Sequence, residues 1–263
     1  MLRVLCVLYA STLFMSCSAQ CPANQFVTVN TINSRALALT PGKAQVTTFA
    51  TRTTSSMIAT AVYDATAGAV TFQSGQSVPG GTHNLLIHDN GFTVVLVVKF
   101  SSSGSQTLVD FASGARIIMW SPGGTTLRFA ISNGASWCET QLSNIVVDTW
   151  HTIVGTWNRV NNRLGITIDT QSTNILCTNR ANLNSLNVQL GEAANGNGAF
   201  TGSMRGFYAV DSALSNDALD TIISNMNANK DTLGECQQCP NGLVSAPDSV
   251  ALSDCGCAQH HSH

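Results

Sequence analysis

The segments Trp150-His151-Thr152-Ile153-Val154-Gly155-Thr156-Trp157 and Leu164-Gly165-Ile166-Thr167-Ile168-Asp169 decide the fold of this chain. Apolar and polar residues alternate in the second segment, and Asn161-Asn162 between the two suits a tight hairpin turn, because asparagine tolerates the left-handed backbone conformation. Further along come Phe200-Thr201-Gly202-Ser203-Met204-Arg205-Gly206-Phe207 and Val210-Asp211-Ser212-Ala213-Leu214-Ser215. This order predicts a hairpin, then a glycine-bracketed strand, then a helix capped by the final serine.

These segments, in this order, resemble the second half of a laminin-G-like or pentraxin-like module of the concanavalin A-like lectin/glucanase superfamily. The resemblance implies an all-β fold, namely an antiparallel β-sandwich of jelly-roll type with one short C-terminal helix. Apolar runs between turn residues agree with it and predict strands at 26–29, 57–62, 69–72, 91–100, 108–111, 116–120, 127–131 and 145–147. The helix places Leu219, Ile222, Ile223 and Met226 on one stripe, which we expect to pack against the sandwich edge.

The 263 residues divide into three predicted parts. Residues 1–19 contain a positively charged n-region at Arg3, a short apolar run and small residues suited to a cleavage site. This pattern predicts a signal peptide and an extracellular, secreted protein. The apolar run is too short for a membrane span, which needs roughly twenty residues. Residues 20–232 are assigned to the sandwich and residues 233–263 to a small, cysteine-rich, disulfide-bonded extension.

The cysteines fit this division. Two of the nine lie in the predicted leader, and secretion makes disulfides the expected state of the other seven. Cys138 and Cys177 are the two within the sandwich, each follows an apolar residue in a strand-like context, and we expect them to pair. The extension contributes four further disulfide candidates, Cys236, Cys239, Cys255 and Cys257. An odd number leaves one thiol free or available for a disulfide-linked oligomer.

The extension also carries a motif of its own. The run Cys236-Gln237-Gln238-Cys239-Pro240-Asn241-Gly242, with two later cysteines, resembles the small cysteine-rich repeats of ephrin-receptor and tumour-necrosis-factor-receptor type. It departs from that pattern in its C-x-C ending. The resemblance implies an extracellular location.

Composition argues against several functions. The formal net charge is -2 and there is no basic cluster, so we expect no nucleic-acid partner. Glucanases of this superfamily set two carboxylates on one strand face. Within the predicted sandwich, Glu139 and Glu192 have no second carboxylate two or four residues away, and the chain has no Gly-x-Ser-x-Gly elbow. The sequence therefore predicts a non-catalytic protein.

The resemblance also implies a calcium site at one rim of the sandwich, with an acid near Gly114 and oxygens before the Phe-x-Gly motif. The first loop here reads Ala112-Ser113-Gly114-Ala115-Arg116 and contains no acid, while the second supplies Asn195 and Asn197. We expect no required cofactor, and calcium stays an alternative.

Sugar binding uses exposed aromatic rings with amides or acids nearby. Trp120 and Trp137 lie at strand ends near turns and are the candidate platforms, whereas Trp150 and Trp157 are assigned to the core. The loop at 192–198 adds the amides of Asn195 and Asn197. The predicted function is recognition of a glycan or glycoprotein at a cell surface or in the extracellular matrix. The alternatives are a structural or adhesive protein that makes protein contacts without a sugar site, and a divergent glucanase.

Overall fold

The computed structural model describes residues 25–28, 37–39, 43, 45–48, 59–83, 91–113, 115–178, 186–196, 198–228, 235–238, 243–244 and 256–257. The predicted signal peptide lies outside the described residues, and so does Asn197. The described part forms nineteen strands and one helix: β1 Gln25–Thr28, β2 Leu37–Leu39, β3 Val46–Thr48, β4 Val62–Asp64, β5 Ala69–Phe72, β6 Val78–His83, β7 Phe92–Phe100, β8 Gln106–Ser113, β9 Ala115–Gly123, β10 Thr126–Ser132, β11 Trp137–Ser143, β12 Trp150–Asn158, β13 Arg163–Ile168, β14 Gln171–Leu176, β15 Leu186–Leu190, β16 Gly202–Val210, α1 Asn216–Asn227, β17 Glu235–Gln238, β18 Leu243–Val244 and β19 Gly256–Cys257.

Two large antiparallel sheets form the body of the protein. The six-stranded sheet has the order β11-β10-β9-β8-β15-β6. The nine-stranded sheet has the order β14-β13-β12-β7-β16-β2-β3, with β5 also paired to β16 and β4 paired to β5. The predicted hairpin is β12 and β13, in which Trp157 pairs with Leu164. The all-β antiparallel sandwich predicted from the sequence is confirmed.

The core lies between the inner faces of the two sheets. Phe111 of the six-stranded sheet meets Phe92 and Phe207 of the nine-stranded sheet at ring-centroid distances of 5.2 and 6.2 Å. Gly155 of β12 marks a close approach, because a Cβ there would lie 2.9 Å from Met119 Cε and 3.0 Å from the Phe129 ring. The alternating apolar positions that predicted these strands are therefore the positions that fill the core.

Helix α1 packs on the outer face of the nine-stranded sheet. Ser215 caps it by accepting a hydrogen bond from the Ala218 N–H, and Asp217 lies in the first turn, as the sequence predicted. Ile222 and Met226 are buried against β7 and β16, with Leu219 and Ile223 partly buried beside them. These strands are central in the sheet, so the expectation that the helix packs at the sandwich edge was wrong.

Two predicted strands are also corrected. Residues 145–147 form a loop. The Ile145 side chain is buried, and the Ile145 N–H donates a hydrogen bond to the Thr125 carbonyl. Of the strand predicted at 57–62, residues 57 and 58 lie outside the described residues, and residues 59–61 precede a strand that begins at Val62, although Ala61 is buried. In both places the apolar residue fills the core from irregular backbone, and a short apolar run does not distinguish that from a strand.

A disulfide joins Cys138 of β11 to Cys177, just after β14, with a Cα–Cα distance of 5.8 Å. The predicted pairing is confirmed, and the bond ties an edge strand of one sheet to an edge of the other. In the extension, β17 pairs with β1 and β18 pairs with β19. The side chains of Cys236, Cys239, Cys255 and Cys257 lie outside the described residues, so their pairing stays a prediction. Within the described part of the chain, no helix is long and apolar enough to cross a membrane.

Candidate ligand-binding groove

The outer face of the six-stranded sheet carries large side chains on β9 and β11. On β9, Arg116, Ile118 and Trp120 alternate with residues that point into the core. The register places Ala130 of β10 between Ile118 and Glu139 of β11. Because alanine is small, it leaves space between the longer side chains of the neighbouring strands.

A groove of about 450 Å³ lies on this face. The three outward side chains of β9 form its middle, and Trp137 and Glu139 of β11 line one side. The opposite side consists of Ser105 and Thr107 at the start of β8, together with Ala193, Asn195 and Gly198. The last three belong to residues 191–201, which connect β15 to β16 and which we call the rim loop.

Main-chain atoms hold the rim loop against β8. The Gly191 N–H donates to the Leu108 carbonyl at 2.9 Å, and the Thr107 N–H donates to the Gly198 carbonyl at 2.5 Å. The register of β8 and β9 shifts between Thr107 and Val109, so a bulge falls at the groove. Gly198 has a φ of +66°, and a Cβ there would lie 2.9 Å from Thr107 Oγ1, so the close approach requires glycine.

Two buried polar side chains complete this attachment. Asp110 has no exposed surface, and its Oδ2 accepts a hydrogen bond from the Ala194 N–H at 2.7 Å. Gln106 is 2% exposed, and its Oε1 accepts from the Thr201 N–H at 2.9 Å. The rim loop is therefore fixed at several points along its length.

Asp110 is also the partner of Arg116. Arg116 Nε donates to Asp110 Oδ1 and Arg116 Nη2 donates to Asp110 Oδ2, both at 2.7 Å. These hydrogen bonds raise the pKa of Arg116, while its partial burial opposes the rise. The pair spans from the buried layer to the groove, because the Arg116 side chain is 28% exposed.

The two tryptophans of the groove differ in their surroundings. Trp137 is 54% exposed, one of the most exposed large apolar side chains in the described residues. Trp120 is half-buried, and the Arg128 guanidinium lies 5.9 Å from the centre of its ring. Arg128 Nη1 in turn contacts Glu139 Oε1 at 3.0 Å. A chain of contacts thus joins Trp120 through Arg128 to Glu139 on the far side of the groove.

The structure brings together three of the four predicted site residues, Trp120, Trp137 and Asn195. Asn197 lies outside the described residues. That these residues bind a ligand stays a prediction. Sequence reasoning missed Arg116 and Glu139, although Arg116 lies four positions before Trp120 and Glu139 two positions after Trp137. Both spacings place residues on one face of a strand, and they were a usable signal.

The other two tryptophans were both assigned to the core. Trp157 has no exposed surface and lies in the core, as expected. Trp150 instead lies on the outer face of the nine-stranded sheet, partly buried beside the helix-covered cluster. Arg205 and Lys99 lie 4.2 and 5.6 Å from its ring centre, so it forms cation–π contacts away from the groove.

The described residues contain no group of three or more His, Cys, Asp or Glu side chains that could hold a metal ion. Asp169 contacts His151 Nδ1 at 2.8 Å and accepts from the Thr152 N–H, and His151 Nε2 lies 3.0 Å from the Val146 N–H. His151 thus links the 144–149 loop to Asp169 through hydrogen bonds. Calcium binding stays an untested prediction.

Comparison with known proteins identifies the family. The family model described as the concanavalin A-like lectin/glucanases superfamily, Laminin_G_3, matches residues 72–219, which is more than half of the chain. The chain therefore belongs to the concanavalin A-like lectin/glucanase superfamily. The resemblance of the C-terminal extension to cysteine-rich receptor repeats stays a prediction. No curated protein matches the sequence.

Several solved structures are similar to this chain at low sequence identity. The binding domain of botulinum neurotoxin DC in complex with rat synaptotagmin II has a TM-score of 0.55 and 12% identity, covering 75% of this chain and 52% of its own. The same domain in complex with SialylT also has a TM-score of 0.55, at 13% identity. The CBM40 of Ruminococcus gnavus IT-sialidase bound to alpha2,3 sialyllactose has a TM-score of 0.46 and 13% identity, covering 62% of this chain and 96% of its own. This chain spans about half the length of the toxin chain.

Proposed function

We propose that this protein is a secreted, non-catalytic recognition module that binds a glycan in the groove of the six-stranded sheet. The observation that carries the proposal is the placement of Trp120, Trp137 and Asn195 around one groove of about 450 Å³. Ligand pockets commonly have volumes of roughly 300 to 1,000 Å³. The leader predicted at residues 1–19 supports an extracellular location.

The chemistry of the groove suits a sugar. The exposed Trp137 ring offers an apolar platform for the C–H groups of a pyranose. Hydroxyls can donate to the Glu139 carboxylate and accept from the Arg116 guanidinium, which both line the groove. An exposed aromatic side chain beside convergent polar groups is typical of a recognition surface.

The spacing of the two rings favours an oligosaccharide. Trp120 and Trp137 lie two strands apart and four residue positions apart along the sheet, as the register of β9, β10 and β11 shows. With about 4.8 Å between strands and about 3.4 Å per residue, their Cα atoms are roughly 17 Å apart. That span accommodates two or more linked sugar rings.

The number and placement of the carboxylates at the groove agree with a non-catalytic function. Among the described residues that line the groove, Glu139 is the one carboxylate. Asp110, the nearby buried acid, is engaged by Arg116 and by the Ala194 N–H. Glycoside hydrolysis uses two carboxyl groups that flank the bond. Asp110 has no exposed surface, so it is not placed to act as the second.

The fold comparison supports recognition without defining the ligand. The toxin binding domain that resembles this chain has been solved with a protein and with SialylT, so its fold presents binding surfaces. A shared fold does not transfer a ligand. The groove residues of this chain therefore carry the proposal.

A glycan array probed with the secreted, oxidised protein tests the proposal, with calcium and again with a chelator. We expect binding that falls at least about tenfold in Trp137→Ala, since stacking of one ring contributes about 1.4 kcal/mol or more. Asn195→Ala should weaken the same signals. Val160→Ala, at an 81% exposed position on the β12–β13 turn, is the matched control and should bind normally.

No binding to any glycan in either condition would refute the proposal and favour the adhesive alternative. Binding that survives Trp137→Ala and Asn195→Ala unchanged would place the sugar site elsewhere. Binding lost in chelator would instead establish the calcium dependence that the sequence left open.

A further inference from the structure

The charged side chains around the groove cancel in pairs. Arg116 is matched by Asp110 through two hydrogen bonds of 2.7 Å. Arg128 is matched by Glu139 at 3.0 Å. Of these four residues, Arg116 and Glu139 line the groove, so the groove presents one cation and one anion, and no net positive charge faces a ligand.

The hydrogen bonds of Arg116 to Asp110 also limit its ability to bind an anionic ligand. A guanidinium recognises a carboxylate best through two parallel N–H donors. In Arg116 the Nε and Nη2 donors are used by Asp110, which has no exposed surface and is held in turn by the Ala194 N–H. Arg116 cannot offer that donor pair to a second carboxylate without breaking the contact with Asp110 and leaving a buried charge unpaired.

Glu139 presents a negative charge to a ligand in the groove. Its side chain is 35% exposed and lines the groove beside Trp137. A sugar hydroxyl donating to this carboxylate forms a charge-assisted hydrogen bond, whereas a ligand carboxylate or sulfate at the same place meets a like charge. The residue thus favours hydroxyl-rich ligands and disfavours anionic ones.

We propose that the groove selects an uncharged oligosaccharide, stacked on Trp137 with its hydroxyls donated to Glu139, and rejects the same oligosaccharide when it carries a carboxylate or sulfate. This inference rests on the proposed glycan-binding function and specifies its ligand class. It assigns Glu139 as the residue that determines specificity, and Asp110 as the residue that neutralises Arg116.

The test uses glycans in matched sets. Each neutral oligosaccharide on the array is printed beside its sialic acid-capped form, its sulfated form, and the capped form with the sialic acid carboxyl converted to a methyl ester. The ester keeps the size of the cap and removes its charge. We expect the neutral form and the ester to bind at least about tenfold more strongly than the carboxylate and the sulfate, a difference of about 1.4 kcal/mol.

A variant pair assigns the effect to one residue. Glu139→Gln keeps the shape and removes the negative charge, so we expect weaker binding of the neutral form and a smaller difference between neutral and anionic forms. Asp220→Asn on α1 makes the same change in net charge on the opposite side of the sandwich, where Asp220 is exposed. It should leave both affinities unchanged, and thermal unfolding of each variant verifies that it folds.

The outcomes separate this inference from the function on which it rests. Sialylated or sulfated forms that bind as well as the neutral forms, or better, would overturn the inference and leave glycan binding intact. A preference for neutral forms that Glu139→Gln does not reduce would overturn the role of Glu139. Binding to no member of any set would overturn both the inference and the proposed function.

Discussion

The two outer faces of the sandwich differ in what covers them. On the nine-stranded sheet, Val95, Val97 and Tyr208 lie beneath the apolar stripe of α1 and are fully or almost fully buried. On the six-stranded sheet, the described residues place no helix, and Trp137 remains 54% exposed. Among the described residues, the face without a covering helix is the one that carries the groove, and it is the face on which we propose that a ligand binds.

Different forces stabilise the two faces. The covered face is held by apolar contacts with Ile222 and Met226. The rim of the open face is held by ion pairs and hydrogen bonds centred on Asp110 and Gln106. Apolar burial is non-directional. In a buried ion pair, removal of one partner leaves the other charge buried and uncompensated, which destabilises the fold. Substitutions on each face should therefore produce different losses.

The largest effect is expected on the open face. Arg116→Ala leaves Asp110 as an uncompensated buried charge, which costs roughly 3 to 5 kcal/mol. Urea unfolding should show this as a lower free energy of unfolding. Arg163→Ala is the control, because Arg163 is exposed and makes one 3.3 Å hydrogen bond to Asn174. A loss of less than about 1 kcal/mol for Arg116→Ala would mean that the rim does not depend on the ion pair.

Removing the disulfide should have the next largest effect. Cys138 and Cys177 are 39 residues apart, and a cross-link of that length stabilises a fold by roughly 3 to 4 kcal/mol. The double variant Cys138→Ala/Cys177→Ala should lose about that amount on urea unfolding. It should also weaken glycan binding, because β11 carries Trp137 beside Cys138. Unchanged binding in a folded double variant would show that β11 is positioned by its pairing with β10 alone.

A pair of truncations contrasts the faces directly. Ile222→Ala on the covered face should cost about 2 to 4 kcal/mol, as expected for a buried isoleucine. Trp137→Ala on the open face should cost less than about 1 kcal/mol, because more than half of its side chain already faces solvent. Glycan binding should show the reverse order. If Trp137→Ala destabilises the fold as much as Ile222→Ala, the tryptophan is a packing residue.

The smallest effect concerns Tyr208 on the covered face. Burial, and secondarily Asp211, raises the pKa of Tyr208 above its ordinary value of 10.0. The folded state therefore keeps a proton that the unfolded state releases above about pH 10, so stability is complete below that pH and falls as the pH rises further. The Tyr208 hydroxyl has no hydrogen-bond partner among the described residues.

Tyr208→Phe should consequently be neutral or stabilising by up to about 1 kcal/mol at pH 7, since it removes a buried hydroxyl that is not hydrogen-bonded. It should also lose less stability above pH 10. Thermal unfolding at pH 7 and at pH 10.5 measures both effects, with Tyr63→Phe as the control. A clear destabilisation at pH 7 would reveal a partner for the hydroxyl.

The sequence predicted the central strands better than the edges. β7, β9 and β10 have apolar residues at their inward positions, so alternation was sufficient. β11 and β14 at the sheet edges are largely polar, reading WCETQLS and QSTNIL. Neither range was predicted as a strand, although Cys138 and Cys177 were interpreted as lying in strand-like contexts. The strand conformation of β11 and β14 depends on pairing with a neighbour, which a local pattern does not reveal.

The site shows the same limit. Trp120 and Trp137 were recognised because both were predicted to lie at strand ends near turns. The structure places both in one groove, although β9 continues past Trp120 to Gly123. The role of Asp110 was not predictable, because one of its partners is the main-chain N–H of Ala194, 84 residues away. A hydrogen bond to a backbone atom leaves no trace in the identity of the residue that donates it.

That backbone attachment has a consequence for adaptation to new ligands. The rim loop is anchored through the N–H groups of Gly191 and Ala194 and the carbonyl of Gly198. Any amino acid other than proline supplies the N–H at position 194. Position 191 also requires glycine, because its φ is +83° and a Cβ there would collide with the Phe72 ring. Asn195 is exposed between the anchors at 194 and 198, so its side chain can change while these backbone hydrogen bonds remain, much as antibody loops vary on a constant framework. Randomising position 195 is therefore a direct route to engineered variants with altered specificity.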